Sequence, residues 1–157
     1  MCLDKVTGLP AEKRGFGYVV RTREMTSLFC NTEEQYTLMA YCKAKLCIVW
    51  AEGRVYASGF HVFSKYEDAC AFRCRDQIVV PVAYVDAMYE GTQAGFPVVV
   101  AYTIVHLDED YEGECPDCRE PATYFCISGY GSVYAVCAKH GTSIRREICL
   151  LDDTMRG

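Results

Sequence analysis

Two pairs of metal-type ligands constrain this chain more than any other feature. Cys115-Pro116-Asp117-Cys118 and Cys137-Ala138-Lys139-His140 each place two residues between two ligands, and eighteen residues separate the pairs. Two intervening residues let a tight knuckle turn both side chains toward one ion. Between the pairs lie two β-like runs, Ala122 to Ile127 and Ser132 to Val136. They flank Ser128-Gly129-Tyr130-Gly131, a hairpin turn that would bring the second pair alongside the first. Gly141 supplies permissive backbone after the second knuckle. Three thiolates and an imidazole suit tetrahedral Zn2+, so the spacing predicts a structural zinc ion on Cys115, Cys118, Cys137 and His140, with no open position for catalysis. Its role would be to fold a segment too small to hold itself together. Cys126 competes as a ligand, but its strand position predicts a place in the core.

The other cysteines need a different account. There are 11 in 157 residues, an odd number that full pairing within one chain cannot satisfy. Residues 1–15 lack an apolar stretch of the signal-peptide kind, so a cytoplasmic location with reduced thiols is expected and a disulfide framework is disfavoured. Cys42, Cys47, Cys70 and Cys74 would form a second metal site only if they converge. Cys70 and Cys74 stand four apart on a predicted helix, and small buried thiols on an amphipathic helix are the plainer account. No apolar run approaches the ~20 residues that cross a bilayer as a helix.

Along the chain, the pattern predicts an α+β fold, a mostly antiparallel sheet with one or two packed helices, followed by a small zinc-binding hairpin module and a terminal helix. Residues 1–107 form the α+β domain, 108–114 an acidic linker, and 115–157 the zinc module. Gly15 to Thr22 alternates Phe16, Tyr18 and Val20 as a half-buried strand does. Thr32 and Gln35 have capping-box spacing, which predicts a helix to about Lys45. Leu46 to Trp50 reads as a buried strand. Gly59 marks a turn or bulge before a further strand. Ser64 and Glu67 form a second capping box for a helix to about Arg75, with Ala69 and Phe72 inward. Ile78 to Val85 is a strand whose Pro81 suggests an edge or bulge. Gly91 to Pro97 reads as a loop, Val98 to Val105 as a central strand, and Thr142 to Leu151 as the terminal helix.

Charge narrows the partners. Residues 1–107 carry 11 basic and 11 acidic side chains, whereas residues 108–157 carry 5 against 10, so the whole net charge of −5 sits in the last third. Asp108, Glu109, Asp110, Glu112 and Glu114 concentrate it. This argues against direct nucleic-acid binding, despite Lys139, Arg145 and Arg146 near the second knuckle. It suits a basic protein surface. Catalytic templates fail: there is no G-x-S-x-G, Walker A, H-E-x-x-H or Rossmann fingerprint, and no H-x-E for a zinc deaminase. A non-enzymatic role is favoured and an enzyme is left open. His61 reads as a structural histidine, and His106, ending the longest strand, as an exposed one.

Residue motifs also carry resemblances. The first is made of Met1-Cys2-Leu3, Gly17-Tyr18-Val19-Val20, Tyr56 with Gly59-Phe60-His61 and Phe63, a helix bearing Ala69, and Tyr89-Glu90-Gly91-Thr92. Together these resemble small bacteriophage accessory proteins over residues 1–107. The C-terminal segment is similar to zinc-ribbon and treble-clef fingers. The phage resemblance implies a protein that binds and inhibits a host protein, of the anti-defence or anti-CRISPR kind. That partner could be a nucleic-acid-binding defence protein in the host cytoplasm, met by the acidic segment 108–114. The order of the Tyr-rich strand and the G-F-H-x-F unit is also faintly similar to ADP-ribosyltransferase folds, although Val98 to Val105 has no acid to match that family's catalytic glutamate. This alternative implies a nucleotide pocket near Tyr18, Arg21, His61 and Tyr89.

Overall fold

A computed structural model of the chain describes residues 3–27, 35–45, 48–52, 54–108, 114, 118–120, 124–127 and 133–137. The strands in chain order are β1 (Lys5–Gly8), β2 (Gly15–Thr22), β3 (Tyr41–Lys43), β4 (Ile48–Ala51), β5 (Arg54–Ala57) and β6 (Phe60–Phe63). The helix α1 (Tyr66–Phe72) follows, then β7 (Gln77–Gln93), β8 (Phe96–His106), β9 (Tyr124–Ile127) and β10 (Val133–Val136). All pairings between these strands are antiparallel, and α1 is the one helix among the described residues. No helix among them is long and apolar enough to cross a membrane.

The long β7–β8 hairpin organises everything else. Its strands are Val-rich, which suits a pleated, buried surface. The segment expected as a loop, Gly91 to Pro97, is strand except for Ala94 and Gly95. These two residues have φ of 51° and 83°, the positive values that a tight hairpin turn matching strand twist requires. Early in its length β7 pairs with β2, from Thr22↔Gln77 to Gly15↔Tyr84. Its later half pairs with β8, and near its end with β1. On its other edge β8 pairs first with β6 and then with β3. A short pairing at Tyr18↔Phe63 joins β6 to β2. Strands β2, β7, β8 and β6 therefore close into a ring, a small barrel with β1 and β3 as extensions.

Closure explains why β2 is buried on both sides and not half-buried as its alternation suggests. Tyr18 and Val20 face a cluster with Phe63, Ala69, Ala83 and Val105. Val19 faces a second cluster with Val62, Val80, Val82 and Ile104. Helix α1 covers the first side: Ala69 is fully buried, Phe72 lies 5.1 Å from Phe63, and Tyr66 meets Tyr18 edge-on at 5.5 Å. The helix cap differs from expectation. Lys65 is the N-cap, in an extended conformation with no side-chain cap hydrogen bond, and the helix stops before Arg73. Burial of the Ala69 face and the acidic first turn, Glu67 and Asp68, stabilise it instead.

Pro81 lies within β7, opposite Tyr18 on β2. Its carbonyl accepts the Leu107 N–H at 2.9 Å, so its missing N–H faces the end of β8, where pairing runs out. The expected helix from Thr32 to Lys45 is overturned where it is described: Tyr41–Lys43 is a strand. The edge of β8 at Thr103 to Val105 offers β3 a full ladder, and Met39 N–H is held by the His106 carbonyl at 2.7 Å. Tertiary pairing wins over a local capping pattern.

Candidate functional site

One end of the ring gathers the polar groups that the core otherwise excludes. Arg21 lies near the end of β2, His106 is the last residue of β8, and Phe60 is the first of β6. Register places these three at the same mouth, because β2 and β8 both run toward it and β6 runs away from it. Tyr36 closes over them. Its N–H donates to the Met25 carbonyl at 2.8 Å, and its ring stacks on the His106 ring at 4.7 Å and 20°. The Arg21 guanidinium lies 4.7 Å from the centre of the Tyr36 ring and 5.8 Å from that of Phe60.

Arg21 is 8% exposed and His106 0%, against the expectation that His106 would be an exposed strand end. Arg21 Nε–H donates to His106 Nε2 at 3.2 Å, and Nη1 donates to the Val20 carbonyl at 3.2 Å. A guanidinium carries only donors, so Nε2 must be the acceptor and the ring proton must sit on Nδ1. Two buried donors at this mouth have no hydrogen-bond partner among the described residues: Arg21 Nη2 and His106 Nδ1.

Half-buried His61 and fully buried His106 are both neutral at pH 7. Burial, reinforced by the charge of Arg21, lowers His106 from 6.5 to about 3. His61 is lowered from 6.5 to about 4, chiefly by burial and against a hydrogen bond with Gln93 at 3.0 Å. Burial also lowers Arg21 from its ordinary value. The unfolded chain takes up these histidine protons near pH 6.5, whereas the folded chain resists until about 4 and 3. Stability from each histidine is therefore complete above 6.5 and declines as pH falls toward 4. The expected slope is about 1.4 kcal/mol per pH unit for each histidine. Urea midpoints across this window should fall accordingly, and less so in His61→Gln; a flat wild-type profile would contradict neutral histidines at these two positions.

Of the four residues expected around a nucleotide, the structure sets Arg21 and His61 close enough for the charge of Arg21 to act on His61. Tyr18 turns to the opposite side of β2 and packs on Tyr66. Tyr89 packs edge-on against Tyr56 at 5.9 Å, and the Tyr56 hydroxyl accepts the Leu3 N–H. His106 and Tyr36, which sequence reasoning did not choose, complete the mouth. The one signal for it was Arg21 itself, a charged residue on the same side of a strand as buried Val19.

At the other end of the chain, β9 and β10 pair from Val133↔Ile127 to Val136↔Tyr124, the hairpin expected between the two knuckles. Cys118 and Cys137 bring their sulfurs to 3.6 Å. That is too long for a disulfide and close to the separation, about 3.8 Å, of two thiolates on one tetrahedral zinc. Cys115 and His140 lie outside the described residues. Among the described residues no three metal-type side chains gather. Cys42 is half-buried on β3, Cys70 half-buried on α1 and Cys74 exposed beyond it, while Cys47 lies outside the described residues. In the acidic segment Asp108 is partly buried and Glu114 exposed; Glu109, Asp110 and Glu112 lie outside the described residues, as does the expected terminal helix.

A third feature is the β4–β5 hairpin. Its inner side joins the core through Val49, Ala51 and Tyr56. On its outer side Ile48, Trp50 and Val55 are 69%, 64% and 44% exposed, with Trp50 directly opposite Val55. Compared with protein-family models, with curated proteins and with solved structures, the chain matches none.

Proposed function

We propose that this chain is a non-enzymatic binding protein of the phage accessory type, which docks on a host protein and inhibits it. The observation that carries the reading is the outer side of the β4–β5 hairpin. A two-stranded sheet that buries one side ordinarily turns polar residues to water on the other. Here both sides are apolar, and the outer one holds the only tryptophan of the chain. Exposed tryptophan flanked by aliphatic side chains is the composition of an interface centre, where few residues dominate affinity. The acids of 108–114 would attract a basic partner, raising the association rate more than the affinity. In this reading zinc on Cys115, Cys118, Cys137 and His140 is structural, and the sulfur separation of Cys118 and Cys137 supports it.

The test is purification of tagged protein from a bacterial lysate, comparing wild type with Trp50→Ala and with a variant neutralised at Asp108, Glu109, Asp110, Glu112 and Glu114. Wild type should retain a stoichiometric protein partner. Trp50→Ala, altered at an exposed side chain, should keep its fold and lose about tenfold or more in affinity. The neutralised variant should bind more slowly, with a weaker salt dependence. Equal retention by all three, or a wild type that retains no protein, overturns the proposal.

A further inference from the structure

The β9–β10 hairpin brings its two flanks together. Its ladder runs from Val133↔Ile127 to Val136↔Tyr124, so the chain entering β9 and the chain leaving β10 lie side by side. Cys137 directly follows β10, and Cys118 precedes β9. The chain turns just beyond Cys118, at Arg119, whose φ is 62°. From these opposite flanks the two sulfurs meet at 3.6 Å. Their surroundings differ: Cys118 is exposed, whereas Cys137 is buried, with 6% of its surface accessible. An accessible thiol beside a second, shielded thiol is the arrangement that takes up an oxidant and then resolves it as a disulfide.

We infer that Cys118 and Cys137 form a reversible redox pair whose oxidant is a small disulfide of the glutathione kind. The exposed Cys118 sulfur attacks one sulfur of the oxidant. The oxidant's S–S bond breaks, a mixed disulfide forms on Cys118, and the first glutathione leaves as a thiol with the Cys118 proton. Cys137 then attacks the Cys118 sulfur. The mixed disulfide breaks, the Cys118–Cys137 bond forms, and the second glutathione leaves as a thiol with the Cys137 proton. Two cysteine thiols lose two electrons in all, and one glutathione disulfide becomes two thiols. The second step is intramolecular, and a contact of 3.6 Å leaves a short approach to the bonded separation of about 2.05 Å. In a reducing compartment such a bond is transient, the mark of a sensor and not of a framework. It would join the same hairpin flanks that a zinc ion would clip. The inference shares two cysteines with the zinc reading and holds with or without metal. Where zinc is bound, solvent supplies both protons and the metal is released, because a disulfide no longer offers thiolate ligands.

The test titrates the purified full chain with glutathione disulfide against reduced glutathione. Bonds are mapped by mass spectrometry of peptides cut without reduction, and zinc is measured in the same samples. Wild type should give a Cys118–Cys137 cross-link that dithiothreitol reverses. It should form at a disulfide-to-thiol ratio at least about tenfold lower than the ratio that modifies exposed Cys74, because its second step is intramolecular. Cys137→Ser should stop after the first step, with glutathione held on Cys118. The wild-type map decides the matter by itself, so a variant that fails to fold leaves the test intact. A cross-link from Cys118 to Cys115, a glutathione adduct that persists on wild-type Cys118, or a pair no more easily oxidised than Cys74 would overturn the inference. A zinc-free chain that forms the cross-link removes the zinc reading alone. A zinc-bearing chain that forms none removes the redox pair alone.

Discussion

Gly17→Val is expected to destabilise the fold by about 3 kcal/mol or more, the upper range for overfilling a packed interior. Gly17 lies on β2 beside Tyr18, the residue through which β2 meets β6. A Cβ there would fall on the Val62 side chain and 2.7 Å from the Phe63 carbonyl oxygen. Backbone on the far side cannot swing away as a flexible side chain can, so the substitution must part the two strands. A large drop in the urea midpoint, with a smaller one in Gly17→Ala, is the expected reading. Gly8→Ala is the control, because nothing lies within 4 Å of the added carbon, and it should stay within about 0.5 kcal/mol of wild type. Equal midpoints for Gly17→Val and Gly8→Ala would mean that β2 and β6 do not close the ring.

The second large effect concerns metal. If zinc holds the C-terminal module, metal analysis should give one zinc per chain, and a strong chelator should abolish the β9–β10 pairing seen by amide protection. Structural zinc sites carry apparent binding free energies on the order of 10 kcal/mol, more than a segment of this size gains from its own core. Cys118→Ser and Cys137→Ser should each lose the metal. Cys126→Ser should retain it, which separates the two knuckles from the competing strand cysteine. Stoichiometric zinc in both knuckle variants would remove the site. The ring of β2, β7, β8 and β6 should keep its amide protection after chelation.

Local chemistry made part of this fold legible. The apolar run at Val98 to Val105 lies within central strand β8, and Gly59 separates β5 from β6. Alternation in Gly15 to Thr22 located β2 but suggested one buried side, because period-two patterning cannot see a sheet that curls round to cover the other. The expected helix before Lys45 failed for a related reason. Its capping pattern was local, and the unpaired edge of β8 that recruits β3 lies far along the sequence. The same distance hid the barrel mouth. Arg21 and His106 are 85 residues apart and meet only because β7 pairs with both their strands. A lone histidine at a strand end carries no sign of that. At the knuckles Cys118 and Cys137 lie side by side, while Cys115 and His140 fall outside the described residues, so the four-ligand reading remains an expectation from spacing.

The ring also has an order of assembly written into it. Strands β7 and β8 are joined by two residues and zip along their length with little chain to constrain, so their contacts are cheap in entropy and form early. The seam between β2 and β6 rests on one residue pair and encloses a long loop of chain. With one pair to hold it, it is expected to be the first part of the ring to breathe. Amides along that seam should exchange with solvent faster than those of the hairpin, making the barrel a clasp that opens on one side while its spine stays folded.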